Sequence, residues 1–274
     1  MSDIVKSNRV PLVIAAIGTA ALVLAGAYLF WQQSPKYGNG PAGQKAEQAS
    51  SAADTAAEAA GMTEAQRKAT EALVRAYILE NPEIITEAVE ILQQRDVAKR
   101  LTSVQDKIAK PFPGTVAGNP KGDVTIVEFT DYSCGFCRSS VADVKRLLND
   151  DAGIRLIYRE LPILSAASRE AALWALAAAK QGKHKSFHDL MFETGPPNPK
   201  SIRSAAKQAG LNMAEAEEFA GSAEAKSEVE NNLALMQQAG FSGTPTFIIG
   251  DQILEGALGY DALKSAVEKA RKQG

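Results

Sequence analysis

The sequence predicts an α/β fold with an N-terminal helical segment and a transmembrane helix. Three observations lead to the α/β part of this prediction. The run Val124–Thr130 is β-branched and apolar, as in a buried strand, and residues 154–159 alternate apolar and charged side chains, as in a second strand. Between them, residues 139–149 carry apolar side chains at helical spacing, so the two strands should pair in parallel. Residues 165–238 then have a helical pattern almost throughout.

The N-terminal stretch 10–31 contains no charged residue and is long enough to cross a bilayer, which needs roughly 20 apolar residues. Lys6 and Arg9 precede it, so residues 1–9 should lie in the cytoplasm and the rest of the chain outside. This pattern predicts a single-pass anchor in the inner membrane with the catalytic domain in the periplasm. The alternative is a cleaved signal peptide, for which Ala25-Gly26-Ala27 would be a suitable cleavage site.

Two segments of different character follow. Residues 32–61 are rich in Ala, Gly, Ser and Gln and are predicted to be a flexible linker. Residues 62–110 are helical in pattern, with Thr63 as a helix cap and a break at Asn81-Pro82. Two short helices cannot bury their apolar faces alone, so these faces should pack either on the catalytic domain or on another copy of the chain.

The C-terminal part of the sequence again has the pattern of β-strands. Residues 246–249 and 252–255 are predicted strands joined by a Gly250-Asp251 turn, and a helix should follow from Tyr260. Residues 115–117 are a candidate for a short edge strand. The formal net charge is −2, and no basic patch indicates nucleic-acid binding.

The sequence contains two cysteines, Cys134 and Cys137, at the predicted strand-to-helix turn. Unpaired N–H groups and the positive end of the helix dipole favour an anion there, and a thiolate is such an anion. A thiol one helical turn further on can close a disulfide with it. Structural zinc usually needs four Cys or His ligands, and a two-residue loop gains little from a static disulfide. Redox chemistry is therefore the leading interpretation, with zinc or a plain staple as alternatives.

These residues also carry a resemblance. The segment Val-Glu-Phe-Thr-Asp-Tyr-Ser-Cys-Gly-Phe-Cys, which ends at Cys137, and the downstream segment Gly-Thr-Pro-Thr-Phe-Ile-Ile, residues 243–249, resemble the DsbA-like family of thiol–disulfide oxidoreductases. The resemblance implies a thioredoxin-like fold over residues 111–274, with the helical block at about 165–238 as an inserted all-helical subdomain. It further implies that Cys134 attacks the client, that Cys137 resolves the mixed disulfide, and that no cofactor is needed.

The resemblance also assigns roles to neighbouring residues. Gly135 and Phe136 replace the Pro-His of many oxidases in the family and are closer to the isomerase members. Glu128 would lie under the active site and take part in proton transfer, although an ordinary half-exposed strand carboxylate remains the alternative. The bond between Thr244 and Pro245 should be cis, in a loop that binds the client together with Gly135 and Phe136.

The function predicted from these features is a periplasmic thiol–disulfide oxidoreductase that acts on cysteines of exported proteins. A membrane redox partner would reoxidise or reduce the Cys pair. The helical segment 62–110 is similar to the oligomerisation segment of ScsC-like and isomerase-type members, so a homo-oligomeric isomerase or reductase is an alternative. A non-enzymatic holdase or metal-binding module is another. His184 and His188 are four residues apart and could share a metal, but Asp189 is the only further candidate ligand nearby, so they are interpreted as ordinary helix residues.

Overall fold

The structure is a computed structural model that describes residues 41–273. These residues belong to two compact units, with the boundary between Pro82 and Glu83.

The first unit contains two helices, α1 (Pro41–Ala59) and α2 (Glu64–Glu80). Thr63 caps α2 as predicted, because its hydroxyl accepts from the backbone N–H of Gln66 and the Gln66 side chain accepts from the backbone of Thr63. Arg67 of α2 pairs with Asp54 of α1 at 3.0 Å.

Helix α1 differs from the prediction of a flexible linker over residues 32–61. The segment lacks large apolar residues, so it has no hydrophobic periodicity to reveal a helix. Its alanines, glutamines and glutamates nevertheless have high intrinsic helix propensity, which is sufficient to account for the helix.

The predicted fold class is corrected in one respect. Among residues 41–273, no helix is both long enough and apolar enough to cross a membrane. The α/β part of the prediction stands, whereas the transmembrane helix and the single-pass inner-membrane location are withdrawn. The stretch 10–31, on which they were predicted, lies outside the described residues.

The second unit is built on a five-stranded sheet of order β1-β3-β2-β4-β5. The strands are β1 (Val116–Gly118), β2 (Val124–Thr130), β3 (Ile154–Glu160), β4 (Thr246–Ile249) and β5 (Gln252–Glu255). Strands β2 and β3 pair in parallel, as predicted, and the other pairs are antiparallel. The helices are α3 (Glu83–Ala109), α4 (Gly135–Asp150), α5 (Ala166–Lys180), α6 (His184–Thr194), α7 (Pro199–Gln208), α8 (Met213–Gly221), α9 (Ala223–Ala239) and α10 (Tyr260–Gln273).

The two faces of the sheet bury different helices. On one face, Val127, Phe129 and Ile157 pack against the C-terminal half of α3, which contributes Leu101, Val104 and Ile108. On the other face, the sheet packs against α4 and α10. The predicted insertion comprises α5 to α9, and its helices α5 to α8 form a further core that also includes both cysteines.

A buried arginine fixes the end of α3. Arg159 of β3 donates to the carbonyls of Lys107, Ile108 and Lys110, at 2.6 to 3.1 Å. These carbonyls have no partner within the helix, so the guanidinium supplies the hydrogen bonds that the helix end lacks. The C-terminal half of α3 therefore packs on the catalytic unit, which is one of the two arrangements expected for the helical segment 62–110.

Candidate active site

The turn between β2 and α4 places Cys134 at the N-terminus of a helix. Cys134 is the N-cap of α4, and its sulfur accepts from the backbone N–H of Cys137 at 3.2 Å. The carboxylate of Asp131 holds this turn, because one oxygen accepts from the backbone N–H of Ser133 at 2.7 Å. The other oxygen accepts from the backbone N–H groups of Ile163 and Leu164, which ties the loop after β3 to the cysteine turn. A negative sulfur at position 134 would thus face the positive end of the helix.

The two thiols differ in access. Both cysteines are free, and Cys137 is completely buried whereas Cys134 is 5% exposed. Burial raises the pKa of the Cys137 thiol well above its ordinary value. Gly135 and Phe136 between them are exposed, and the ring of Phe136 stands in solvent. The geometry therefore favours Cys134 as the sulfur that meets a client and Cys137 as the sulfur that stays inside.

The loop before β4 lies against the cysteines. The Thr244–Pro245 peptide bond is cis, as the sequence predicted. The Cys134 thiol donates to the carbonyl of Thr244 at 3.1 Å, so the loop touches the sulfur directly. An extended client segment could pair with backbone groups of this loop in the manner of an added strand.

Three exposed apolar side chains belong to the segments around this site: Phe136 in the first turn of α4, and Leu164 and Leu258 in the loops after β3 and β5. Leu164 follows Ile163 in the loop that Asp131 holds, and Leu258 lies in the loop after β5, where Gly256 donates to the carbonyl of Pro245. Exposed apolar groups next to a reactive sulfur suit an unfolded or partly folded protein substrate.

Glu128 is an interior residue, which settles the question that its sequence context left open. It is 1% exposed on β2. Burial raises its pKa to about 8, and the negative charge of Glu160 adds to this effect. One of its carboxyl oxygens, Oε2, has no hydrogen-bond partner among the described residues.

Sequence reasoning missed a buried polar group beside the site. Tyr132, Glu160, His184 and His188 are all buried and contact one another, although the two histidines were interpreted as ordinary helix residues. The sequence did contain a signal for the burial of Glu160. Side chains two residues apart in a strand share a face, so Glu160 should lie on the same face as the apolar part of Tyr158. Within residues 41–273, no group of three or more His, Cys, Asp or Glu side chains is arranged to hold a metal ion.

Comparison with known proteins assigns the family. Residues 112–269 match the family model described as Thioredoxin. The chain belongs to the thioredoxin family. Residues 66–99, ahead of the thioredoxin domain, match the model described as Copper resistance protein ScsC N-terminal domain.

Solved structures of similar thioredoxin domains include a thioredoxin-like oxidoreductase from Silicibacter pomeroyi DSS-3, with 39% identity and a TM-score of 0.56 over 57% of this chain and 91% of that chain. The thiol-disulfide exchange protein alpha-DsbA2 from Wolbachia pipientis has 29% identity and a TM-score of 0.61, over 65% and 97%. Proteus mirabilis ScsC has 27% identity and a TM-score of 0.58, over 78% and 99%. The predicted membership of the DsbA-like thiol–disulfide oxidoreductases is thereby confirmed for the thioredoxin domain.

One curated relative is much longer than this chain. The Na(+)/H(+) antiporter NhaA 1 of Salinispora arenicola is 28% identical over 158 residues, which make up 57% of this chain and 24% of the relative. The matched segment thus spans about a quarter of that protein.

Proposed function

We propose that the protein exchanges disulfides with cysteines of exported proteins, in the periplasm, through the pair formed by Cys134 and Cys137. The observation that carries this proposal is the position of the Cys134 sulfur, between the N-terminus of α4 and the carbonyl of Thr244. There it can attack a client disulfide or accept a client thiolate, and Cys137, one helical turn away, resolves the mixed disulfide. The pair carries two electrons itself, and a redox partner, which we propose to be membrane-bound, returns it to its starting state.

The other site residues have proposed roles in the same cycle. Gly135, Phe136, Thr244 and Pro245 bind the client segment on either side of the sulfur. Glu128 exchanges a proton with Cys137, because burial raises the pKa of both groups and a buried thiol needs a base before it can attack.

Two assays on the full chain test this function. The protein should accelerate both the reduction of insulin by dithiothreitol and the recovery of activity by scrambled ribonuclease. Equilibration of the Cys pair with a glutathione series then separates a disulfide donor from a reductant or isomerase, because the donor has the more oxidising potential. No acceleration in either assay, together with a metal ion retained through purification, would favour a binding module instead.

The N-terminal helices favour a second candidate, an oligomeric disulfide isomerase. Helix α2 exposes five large apolar side chains: Leu73, Val74, Tyr77, Ile78 and Leu79. The first half of α3 exposes four more: Ile85, Val89, Ile91 and Leu92. Surfaces of this kind are normally covered by a partner, and the match of residues 66–99 to the ScsC N-terminal model supports another copy of the chain as that partner.

Light scattering on a double variant tests self-association. Leu73→Glu with Tyr77→Glu places two charges on the apolar face of α2, and we expect it to reduce the mass from a multiple of the chain mass to that of a single chain. Substitution is preferable to deletion of residues 62–110, because Leu101, Val104 and Ile108 belong to the catalytic core. Ala52→Glu with Ala56→Glu, at exposed positions of α1, is the control with equal charge and spacing away from the apolar face of α2. A monomeric wild-type protein would refute the oligomer.

A further inference from the structure

Glu160 is the centre of the buried polar group beside the cysteines. Its Oε1 atom lies 2.8 Å from Nε2 of His184 and accepts from the hydroxyl of Tyr132 at 3.2 Å. The same hydroxyl lies 3.4 Å from Nδ1 of His188. All four side chains are at most 2% exposed. This arrangement gives the Glu160 carboxylate two partners on one oxygen, although it is far from solvent.

The register of the central strands places Glu160 near Glu128. Glu128 is paired with Tyr158, and Thr130 is paired with Glu160. Alternate residues of a strand share a face, so all four side chains project from one face of the sheet. With strands roughly 4.8 Å apart and a rise of about 3.3 Å per residue, the two glutamates are about 8 Å apart at their Cα atoms.

The same face contains every buried side-chain oxygen or nitrogen of residues 41–273 that lacks a hydrogen-bond partner. These atoms are Glu128 Oε2 and Glu160 Oε2, together with Thr130 Oγ1, whose neighbour is the thiol of Cys137. Buried polar groups are usually paired, and exceptions often mark sites with a chemical role. Here the atoms lie in the last three residues of β2 and at the last residue of β3, and β2 leads directly into the turn that carries Cys134.

The two carboxyl groups have unequal surroundings. Burial raises the pKa of both carboxyl groups. The hydrogen bonds from His184 and Tyr132 offset this effect at Glu160, whereas the charge of Glu160 adds to it at Glu128. Two carboxylates at this separation in a buried site do not ionise independently, and the one with donors keeps the charge. The other titratable groups that face Glu160 are Asp131 after β2, Tyr158 on β3 and His188 on α6. Burial lowers the pKa of His188 well below its ordinary value, so His188 adds no positive charge at neutral pH.

We propose that Glu160 is a positioning residue for disulfide exchange: its charge, held in place by Tyr132 and His184, keeps the proton of the carboxyl pair on Glu128. This inference rests on the proposed function, in which Glu128 exchanges a proton with Cys137. Without the charge on Glu160, Glu128 would ionise at a lower pH and would accept the thiol proton over a different pH range.

The step concerned is the resolution of a mixed disulfide. Cys137 gives its proton to the ionised carboxylate of Glu128, and its thiolate attacks the sulfur of Cys134. A bond forms between Cys134 and Cys137 as the bond from Cys134 to the client sulfur breaks. The client sulfur leaves with the electron pair of that bond and takes a proton from solvent.

The test follows this step directly. The reduced full chain is mixed with oxidised glutathione at pH values from 5 to 10, quenched with acid, and the glutathione adduct on Cys134 is counted by mass spectrometry. In the wild-type protein, the decay rate of the adduct should rise with pH and level off above an inflection near pH 8, the value to which burial raises the pKa of Glu128. In Glu160→Gln, we expect the inflection to move down by about one pH unit.

Four further variants make the result specific. Glu128→Gln should remove the inflection, and the double variant with Glu160→Gln should behave like Glu128→Gln alone. Glu193→Gln, which neutralises an exposed carboxylate on α6, should match the wild-type protein. Tyr132→Phe removes a donor to Glu160 and should give a smaller downward shift, so it decides the matter if Glu160→Gln does not fold.

An inflection that stays in place in a folded Glu160→Gln protein would overturn the positioning role. If the wild-type protein forms neither the adduct nor a disulfide between Cys134 and Cys137, the proposed disulfide exchange itself is refuted, and the two failures are therefore distinct.

Discussion

Replacing Cys134 with serine is expected to abolish insulin reduction, with a loss of about 1000-fold or more. The sulfur of Cys134 is the proposed attacking atom, because it lies at the N-terminus of α4 and contacts the Thr244 carbonyl. Removal of the attacking nucleophile from an enzyme costs several orders of magnitude in rate. Turnover of insulin in the presence of dithiothreitol measures the effect.

Cys137→Ser should fail in a different way. Cys134 would still attack the client, but the mixed disulfide would not be resolved, so covalent adducts should accumulate and be visible on a non-reducing gel. Ser139→Ala, on the exposed side of α4, is a control that should retain full activity. Substantial insulin reduction by Cys134→Ser, or an adduct on Cys137 in that variant, would show that the roles of the two cysteines have been assigned wrongly.

Glu128→Gln is expected to change how the stability of the protein depends on pH. Burial raises the pKa of Glu128 from an ordinary value of 4.5 to about 8. In the unfolded chain this group ionises above pH 4.5, whereas in the folded chain it stays protonated until about pH 8. Its contribution is therefore present below pH 4.5 and is lost as the pH rises toward 8. Between pH 4 and pH 7 the loss amounts to about 3 kcal/mol, from roughly 1.4 kcal/mol per unit of pKa.

Urea unfolding at pH 4 and pH 7 measures this effect. The difference in free energy of unfolding, Glu128→Gln minus wild type, should be larger at pH 7 than at pH 4 by about 3 kcal/mol, because only the wild-type protein loses stability over this range. The exposed Glu193→Gln should show no such difference. Equal pH dependence of the free energy of unfolding in wild type and Glu128→Gln would mean that Glu128 is ionised inside the fold.

A second experiment tests the role of Glu128 in proton transfer. A pH profile of thiol alkylation that is unchanged in Glu128→Gln would exclude this role.

The sheet was predictable because its strands carry local signals. The β-branched run of β2, the alternation in β3 and the turn residues between β4 and β5 all depend on nearest neighbours in the sequence. The parallel pairing of β2 and β3 followed from the helix between them. Helix α1, by contrast, forms in a segment that has high helix propensity but no apolar periodicity. Its composition alone therefore suggested a linker.

The candidate site was predictable in part for the same reason. Cys134 and Cys137 are only three positions apart, and the loop at Pro245 is identifiable from the short segment 243–249. The contacts of Glu160 with Tyr132 and His184 join residues 28 and 24 positions apart in the chain. No local pattern encodes such a contact, since it depends on how α6 packs over the ends of β2 and β3.

Helix α3 has a mechanical consequence. It is a single helix of 27 residues, about 40 Å long at 1.5 Å per residue, and its sequence contains no Pro or Gly. Its C-terminal half packs against the sheet and is hydrogen-bonded by Arg159, whereas its first ten residues expose the apolar side chains of Ile85, Val89, Ile91 and Leu92. The helix is thus a rigid spacer. A protein bound to its N-terminal end would be held at a fixed distance and orientation from the reactive sulfur.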